Sequence, residues 1–420
     1  MANPLKKSLL GVARKVKRGI RSVVDTPQRL RKETRSILEE VSRRSAGETG
    51  DRHILLASTG VRNIGDQAML EAFIANVHGQ IDVLITSGSS YVIPEEAKHR
   101  VTTVRADSLV YGRGSAQRAD LRNFCELLRQ ARSFSVVGAD VIDGGYQLRA
   151  PVMSWALATA TARAGFDTRV LGFSWGSDVA PIVLDSAKAA QAAGTRLFAR
   201  DPDSAARLAA SGVEGVEEVV DTVFALGGED TASVELETVE AIRASGRGYV
   251  VMNISGLIAS RIDLTADYLR VAREIGAANK HVLLLPHVDN RGGGDIAAVR
   301  SFAKLLEQEG IEHTVVAGLL RPKQVRAIAR LADAVVTGRM HLSILALSCG
   351  VPAIVLSTQG KVSGLMRRIG HPDWCVDPVA GMGNQIIAGL DQAQDLDRTA
   401  LETMAPELAA IAKRNFEGLN

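Results

Sequence analysis

Cysteine and long apolar runs are both scarce in this chain of 420 residues. The three cysteines, Cys125, Cys349 and Cys375, are far apart and form no Cys-x-x-Cys pair, so the sequence predicts neither a disulfide framework nor a zinc site. No apolar run reaches the roughly 18 residues that a membrane-spanning helix needs. The first residues also lack the apolar core of a secretory signal. We therefore expect a cytoplasmic protein.

Aromatic residues make up only 4% of the chain, and the net charge is a modest +3. This balance hides an asymmetry, because residues 1 to 50 carry 13 Lys/Arg against 5 Asp/Glu, whereas the other 370 carry 37 against 42. A basic segment without interleaved aromatics, joined to a mildly acidic body, argues against nucleic-acid binding.

The basic segment has helical periodicity. Apolar residues recur at spacings of three or four between basic ones, at Leu5, Leu9, Val12, Val16, Ile20 and Val23. This pattern is typical of an amphipathic helix on an anionic membrane. Thr26 and Pro27 predict the start of a second helix. We expect residues 1–45 to dock on the inner face of the cell membrane; a solvated arm or one that docks on a protein partner is the alternative.

Beyond the polar linker 45–50, short apolar strands alternate with helices, which predicts parallel sheets covered on both faces. The predicted strands cover residues 54–58, 83–86, 134–137, 169–172, 196–199 and 216–220, then 249–254, 281–285, 313–316, 334–336 and 353–356. A polar stretch at 227–233 separates the two sets. The expected architecture is α/β: a helical arm and linker (1–50), two Rossmann-like domains (51–232 and 233–395), and a C-terminal helix (396–420) that returns to the first domain.

The most informative stretch lies between residues 333 and 370. An apolar strand runs into Gly338-Arg339-Met340-His341, and a second strand is followed by Lys361. Polar side chains at the carboxyl ends of parallel strands face the crevice where ligands bind. Arginine and lysine near helix N-termini suit an anion such as phosphate or carboxylate.

Three further strand ends carry polar residues. The loop Gly60-Val61-Arg62-Asn63-Ile64-Gly65-Asp66 precedes a helix predicted to start near Asp66, so this aspartate is either a ligand-facing group or a simple N-cap. Arg200 ends another strand and is expected to point into the cleft. His287 also ends a strand, where a packed histidine is the main alternative to a binding role. Trp175 is a candidate for stacking on a sugar or for packing.

In combination, these motifs resemble the polysaccharide pyruvyl transferase family. The resemblance rests, in chain order, on Asn63-Ile64-Gly65-Asp66-Gln67-Ala68, Arg200-Asp201 with Ser204, Asp221 before Phe224, Pro286-His287, and Gly338-Arg339-Met340-His341 with Gly350-Val351-Pro352 and Lys361. It implies two Rossmann-like domains of glycosyltransferase-B type. It also implies transfer of the enolpyruvyl unit of phosphoenolpyruvate onto two hydroxyls of a sugar, which forms a pyruvate ketal and releases phosphate. We expect the acceptor to be a cell-envelope or exopolysaccharide precursor that is lipid-linked at the membrane face.

The residues suit that chemistry. His341, Asp66 and Arg339 are the expected catalytic residues. His341 would be the general acid or a partner of the phosphate, and Asp66 would be the base or would accept a hydrogen bond from the sugar. Arg200 and Lys361 would add cations for the phosphate and carboxylate of phosphoenolpyruvate. Asn63, Gly65, Gly338 and His287 are the remaining substrate-binding candidates. The scheme needs no metal and no cofactor beyond the donor.

Two departures from the family pattern concern the predicted acceptor side, and the segment Gly172-Phe173-Ser174-Trp175-Gly176-Ser177 only approximates the family's glycine-rich turn. Arg62 stands where a glycine usually precedes the asparagine, and Gly138-Ala139-Asp140 replaces a run of glycines, so the acceptor side is expected to differ. Two other functions fit the same architecture. One is a glycosyltransferase that uses a nucleotide-sugar, and the other is a non-catalytic saccharide-binding protein docked on a membrane.

Overall fold

A computed structural model describes residues 25–43, 50–86, 88–289, 294–357 and 361–419, with Lys361 described by its backbone alone. Within these residues the chain forms two parallel sheets, each covered by helices on both faces. The amphipathic segment predicted for residues 5–23 lies outside the described residues, so its membrane role stays a prediction.

The first sheet has seven parallel strands in the order β3-β2-β1-β4-β5-β6-β7. Their bounds are β1 Arg52–Leu56, β2 Gln80–Ile85, β3 Val101–Arg105, β4 Ala131–Ala139, β5 Asp167–Phe173, β6 Arg196–Ala199 and β7 Val216–Glu218. The helices around this sheet are α1 Pro27–Ser42, α2 Ile64–Asn76, α3 Gly114–Leu128, α4 Arg149–Arg163, α5 Pro181–Ala192 and α6 Pro202–Ala210.

The second sheet has six strands in the order β10-β9-β8-β11-β12-β13. They are β8 Tyr249–Asn253, β9 His281–Leu284, β10 His313–Val315, β11 Ala334–Thr337, β12 Ala353–Leu356 and β13 Cys375–Val376. The helices that follow β7 are α7 Val234–Ala244, α8 Gly256–Ala259, α9 Thr265–Ala277, α10 Asp295–Gln308, α11 Pro322–Leu331, α12 Met340–Leu347, α13 Lys361–Arg368, α14 Met382–Asp395 and α15 Thr399–Lys413. Short 3-10 turns occupy Glu95–Ala97, Thr222–Ala225, Pro372–Trp374 and Arg414–Phe416.

The burial pattern explains why these segments are strands. Every residue of β8, β9, β11 and β12 is buried, as expected when helices cover both faces of a parallel sheet. The strand order reverses between β1 and β4 in one sheet and between β8 and β11 in the other. Ligands of doubly wound sheets bind at such reversals. The predicted fold class is confirmed, whereas the edge strands β3 and β13 were missed.

The C-terminal helix α15 crosses back to the first domain. It packs against the 3-10 turn Thr222–Ala225, and the buried Arg169 of β5 donates hydrogen bonds to the backbone carbonyls of Asn415 and Glu417. The Asn415 side chain also accepts from the backbone N–H of Gly172 at 2.9 Å. The residues that follow α15 are therefore hydrogen-bonded to strand β5 of the N-terminal sheet.

Helix α1 belongs to the first domain, whereas the sequence pattern groups it with a basic helical arm and linker (1–50). Thr26 caps this helix as predicted, but Leu30, Ile37 and Val41 are buried against α4. The guanidinium of Arg149, itself 2% exposed, pairs with Glu33 at 2.6 Å and with Asp25 at 3.3 Å. Residues 25–43 are therefore part of the first domain, because their apolar face and two carboxylates are built into it.

None of the helices in the described ranges has both the length and the apolar composition that crossing a membrane requires.

Candidate active site

A cavity of about 310 Å³ lies between the two domains at the carboxyl ends of their strands. Seven of the residues predicted from the sequence line it: Asn63, Asp66, Arg200, His287, Gly338, Arg339 and His341. Its volume is at the lower end of the usual range for ligand pockets. The structure thus brings together residues that are up to 278 positions apart in the chain.

Three helices direct their N-termini at this cavity. Residues from the first turn or the cap of α2, α12 and α13 line its wall, namely Asn63 and Asp66, Met340 and His341, and Val362. A helix N-terminus carries unpaired N–H groups and a partial positive charge. Their convergence favours an anionic ligand.

The N-cap of α2 is Asn63, not Asp66. The Asn63 side chain accepts a hydrogen bond from Gly65 N–H at 2.9 Å, and the helix begins at Ile64. Asp66 lies in the first turn, where its carboxylate accepts from Gly60 N–H at 3.2 Å. Burial raises the pKa of Asp66 although the nearby charge of His341 opposes the shift. The hypothesis that Asp66 is only a cap is therefore wrong.

His341 reaches across the domain boundary. Its ring lies against Gly65 of α2, where an added Cβ would approach the imidazole Nδ1 to 2.1 Å. Its Nε2 lies 3.6 Å from the Asp221 carboxylate. Glycine at position 65 is thus required so that the histidine of one domain can enter the other.

Asp221 is buried between Arg200 and His341. It lies 2.7 Å from Nη1 of Arg200 and also accepts from Val223 N–H at 3.0 Å. Burial alone would raise the pKa of Asp221, but the charges of His341 and Arg200 bring it below its ordinary value. Asp221 is therefore ionised, and it fixes both Arg200 and His341 beside the cavity.

Arg339 has a comparable partner in the second domain. Its Nε and Nη2 donate to the two carboxylate oxygens of Asp295 at 3.1 and 2.6 Å. Asp295 is fully buried and also accepts backbone N–H bonds from Gly256, His287 and Val288. This bidentate pair orients the guanidinium, whose Nη1 has no bond to any described residue.

His287 is a buried histidine without a hydrogen-bond partner. The side chain is 1% exposed, and neither ring nitrogen bonds to a residue in the described part of the chain. Burial lowers the pKa of His287 to about 3, and the charge of His341 adds to this shift. A neutral imidazole in the cavity wall, with both nitrogens unused, indicates a polar ligand.

The other predicted residues lie as follows. Gly338 permits a close approach, because a Cβ there would come within 2.8 Å of the Ser255 side chain. Lys361 begins α13, and its side chain lies outside the described structure. Trp175 is 2% exposed and packs edge to face against Trp155 and Phe173. Its packing interpretation is therefore the correct one.

The two departures from the family pattern share a backbone conformation. Arg62 and Ala139 both have φ of 45°, in the left-handed region that favours glycine. The backbone at both positions therefore has a conformation that glycine adopts readily. Arg62 is held by a salt bridge to Asp289 of the second domain at 2.5 Å.

Among the residues that the structure describes, no three His, Cys, Asp or Glu side chains are grouped in a way that could hold a metal ion.

The comparison with protein families gives one match. The model of the family described as polysaccharide pyruvyl transferase matches residues 63–360. This chain belongs to that family. The matched segment contains the cap of α2, most of the residues that line the cavity, and the reversal point between β8 and β11. The resemblance seen in the sequence motifs is thereby confirmed, and the family implies a polysaccharide acceptor. The comparison with curated protein sequences gives no match.

Solved structures share the fold. A putative UDP-N-acetylglucosamine 2-epimerase from Listeria monocytogenes is 11% identical, with a TM-score of 0.55, over 88% of this chain and 94% of the other. UDP-GlcNAc 2-epimerase from Methanocaldococcus jannaschii is 11% identical, with a TM-score of 0.54, over 86% and 99%. At this identity the likeness shows the two-domain glycosyltransferase-B type of fold alone.

Sequence reasoning missed two carboxylates and one aromatic residue of the site. Asp221 entered only as part of a family motif, and no motif included Asp295. The signal for each was an aspartate next to a strand end or helix start, which is also the pattern of an ordinary cap. Tyr146, which lines the cavity, follows two glycines and gave no signal.

Proposed function

We propose that this protein transfers the enolpyruvyl unit of phosphoenolpyruvate onto two hydroxyls of a saccharide, forming a pyruvate ketal and releasing phosphate. One observation carries the proposal: three helix N-termini, two carboxylate-oriented arginines and His341 converge on a single cavity. Phosphoenolpyruvate carries a phosphate and a carboxylate and needs this many fixed positive groups.

The proposed position of phosphoenolpyruvate follows from the nitrogen atoms of two arginines that are still available as hydrogen-bond donors. Arg339 offers Nη1 and Arg200 offers Nη2, since the described residues bond only their other nitrogens. The N–H groups at the start of α12 and α13 complete the anion site. His287 would accept or donate one further bond as a neutral ring.

The chemistry divides between the two domains. His341 would give a proton to the methylene carbon, which leaves carbon 2 electron-poor. A saccharide hydroxyl would add to carbon 2 and lose its proton to Asp66, whose pKa is raised by burial. A second hydroxyl would then displace phosphate, which departs with the C–O bonding electrons toward the arginines and takes the proton of that hydroxyl. Two C–O bonds to the saccharide form, while the double bond and the bond to phosphate oxygen are lost.

The test measures phosphate release from phosphoenolpyruvate with and without saccharide acceptors. We expect acceptor-dependent release that falls at least 100-fold in Arg339→Ala and His341→Ala, because the first removes a cation that stabilises the departing phosphate and the second removes the proton donor. Ser260→Ala, an exposed change in the same domain, serves as the control. Thermal stabilisation by a nucleotide-sugar, with none by phosphoenolpyruvate, would contradict the proposal and favour a glycosyltransferase.

A further inference from the structure

An exposed tyrosine lies where three cavities meet. Tyr146 lines the 310 Å³ cavity, and it also lines two neighbouring cavities of about 240 and 200 Å³. Its side chain is 51% exposed, and the other large apolar residues that are exposed in the described ranges are all valines. Large apolar side chains are usually buried and this chain has few aromatic rings, so the exposure of this one is informative.

The ring is held in place at this junction. The Tyr146 hydroxyl donates to the Asp140 carboxylate at 2.9 Å, and Asp140 lines both the main cavity and the 240 Å³ cavity. The aromatic face therefore has a fixed position beside the proposed donor site. Fixed aromatic rings with one polar end contribute much contact area at low entropic cost.

The two side cavities differ in chemistry. The 240 Å³ cavity is bordered by Asp140, Asp143, Asp201 and Arg207. Asp143 accepts two backbone N–H bonds, from Gly145 and Gly176, and a carboxylate has sites for more. The 200 Å³ cavity is lined mainly by apolar residues such as Leu84, Val136 and Pro151. The first is the one bordered by charged side chains, which are strong hydrogen-bonding partners for a molecule rich in hydroxyls.

From this arrangement we propose that Tyr146 is the stacking platform for a pyranose ring of the acceptor, which extends from the main cavity into the polar cavity beside Asp143 and Arg207. The weakly polar C–H face of the ring lies on the tyrosine, and its hydroxyls meet the carboxylates and the guanidinium. This inference rests on the proposed function for the statement that the saccharide is the acceptor. It replaces Trp175, which is buried, as the aromatic residue for sugar recognition.

The first test is independent of turnover. Saturation-transfer NMR measures binding of methyl β-D-galactopyranoside, methyl β-D-glucopyranoside and methyl 2-acetamido-2-deoxy-β-D-mannopyranoside to the full chain. We expect transfer to at least one glycoside, a loss of at least tenfold in affinity in Tyr146→Ala, and near-normal affinity in Tyr146→Phe. Val379→Ala, which changes an exposed apolar residue elsewhere, is the control. Equal binding by wild type and Tyr146→Ala, or no binding of any glycoside, overturns the platform.

The second test separates this inference from the proposed reaction. In the phosphate-release assay, Tyr146→Ala should raise the acceptor KM at least tenfold and leave the phosphoenolpyruvate KM within about twofold. An equal rise in both constants would place the tyrosine in the donor site and refute its acceptor role. Tyr146-dependent glycoside binding without phosphate release from phosphoenolpyruvate would refute the reaction and support the platform.

Discussion

Each candidate catalytic side chain in this protein has a carboxylate or a glycine that decides its position. Arg200 pairs with Asp221, Arg339 pairs with Asp295, and His341 occupies the space left by Gly65. Charged groups held by buried partners lose little entropy when a ligand binds, and they need no reorganisation during the reaction. The residues behind the cavity are therefore as important for its chemistry as those that line it.

At the residue scale, Gly65→Ala tests whether the reaction depends on the position of the His341 ring, because this change leaves the histidine itself unaltered. The added Cβ would meet the imidazole, which must move because the backbone on either side is fixed by α2 and α12. We expect acceptor-dependent phosphate release to fall at least tenfold, as measured at saturating phosphoenolpyruvate. Gly276→Ala is the matched control, since nothing lies within 4 Å of a Cβ at that helical position. An unchanged rate in Gly65→Ala would show that the histidine is not confined there.

The left-handed backbone at Arg62 and Ala139 is also a residue-scale feature. The sequence comparison marks both positions as substitutions of glycine, and it leads to the expectation of an altered acceptor side. The structure shows a left-handed backbone, which favours glycine, at each position. The difference lies in the side chains, because Arg62 adds a contact to Asp289 that a glycine could not make.

At the scale of single elements, α1 combines apolar packing with buried charge pairing. Its removal would expose the surface under Leu30 and Val41 and take away the Glu33 carboxylate that pairs with Arg149. The loss of each fully buried aliphatic side chain costs about 1.5–3 kcal/mol. The position of this helix therefore decides how much of the basic N-terminal segment can be removed without loss of stability of the first domain.

We expect a chain that begins at residue 25 to unfold in urea at the same midpoint as the full chain, whereas one that begins at residue 50 should lose most of its stability. The physical reason is that the first truncation keeps α1 and its carboxylates, and the second removes them. Circular dichroism during urea titration measures both. Equal midpoints for the two truncations would show that α1 contributes nothing. The shorter truncation also allows vesicle-binding tests of residues 1–24 without unfolding the first domain.

At the scale of the whole molecule, the domains are joined beside the site rather than far from it. Ile64 N–H donates to the carbonyl of His287 at 3.1 Å, and Asp289 N–H donates to the carbonyl of Arg62 at 2.9 Å. Farther away, the pairs Arg367 with Asp203 and Arg368 with Glu218 also cross the boundary. These contacts hold the two walls of the cavity together.

The pH dependence of stability is a property of the whole fold to which His287 contributes. Its pKa is about 3 in the folded chain and near 6.5 when unfolded, so the unfolded chain binds one more proton between these values. Stability should therefore fall as pH drops from 6.5 toward 3, by about 1 kcal/mol per pH unit from this group. His53, whose pKa burial lowers to about 4, acts in the same direction.

His287→Gln should reduce that slope by about 1 kcal/mol per pH unit. The free energy of unfolding in urea, measured between pH 4.5 and 6.5 for both proteins, provides the check. His313→Gln is the control, because that residue lies outside the buried site on β10. Parallel curves for wild type and His287→Gln would mean that His287 is protonated equally in the two states.

The sequence by itself determined the fold class, because continuous apolar strands that alternate with helices have few ways to bury both faces of a sheet. It also identified seven residues of the cavity, since polar side chains at strand ends of parallel sheets collect at one edge. Tertiary structure alone decided which charges meet. Asp221 and Asp295 have the local sequence pattern of helix caps, yet one anchors Arg200 and faces His341 and the other anchors Arg339. Tertiary packing likewise buried Trp175, exposed Tyr146 and enclosed α1 in the first domain, because burial depends on neighbours that are distant in the chain.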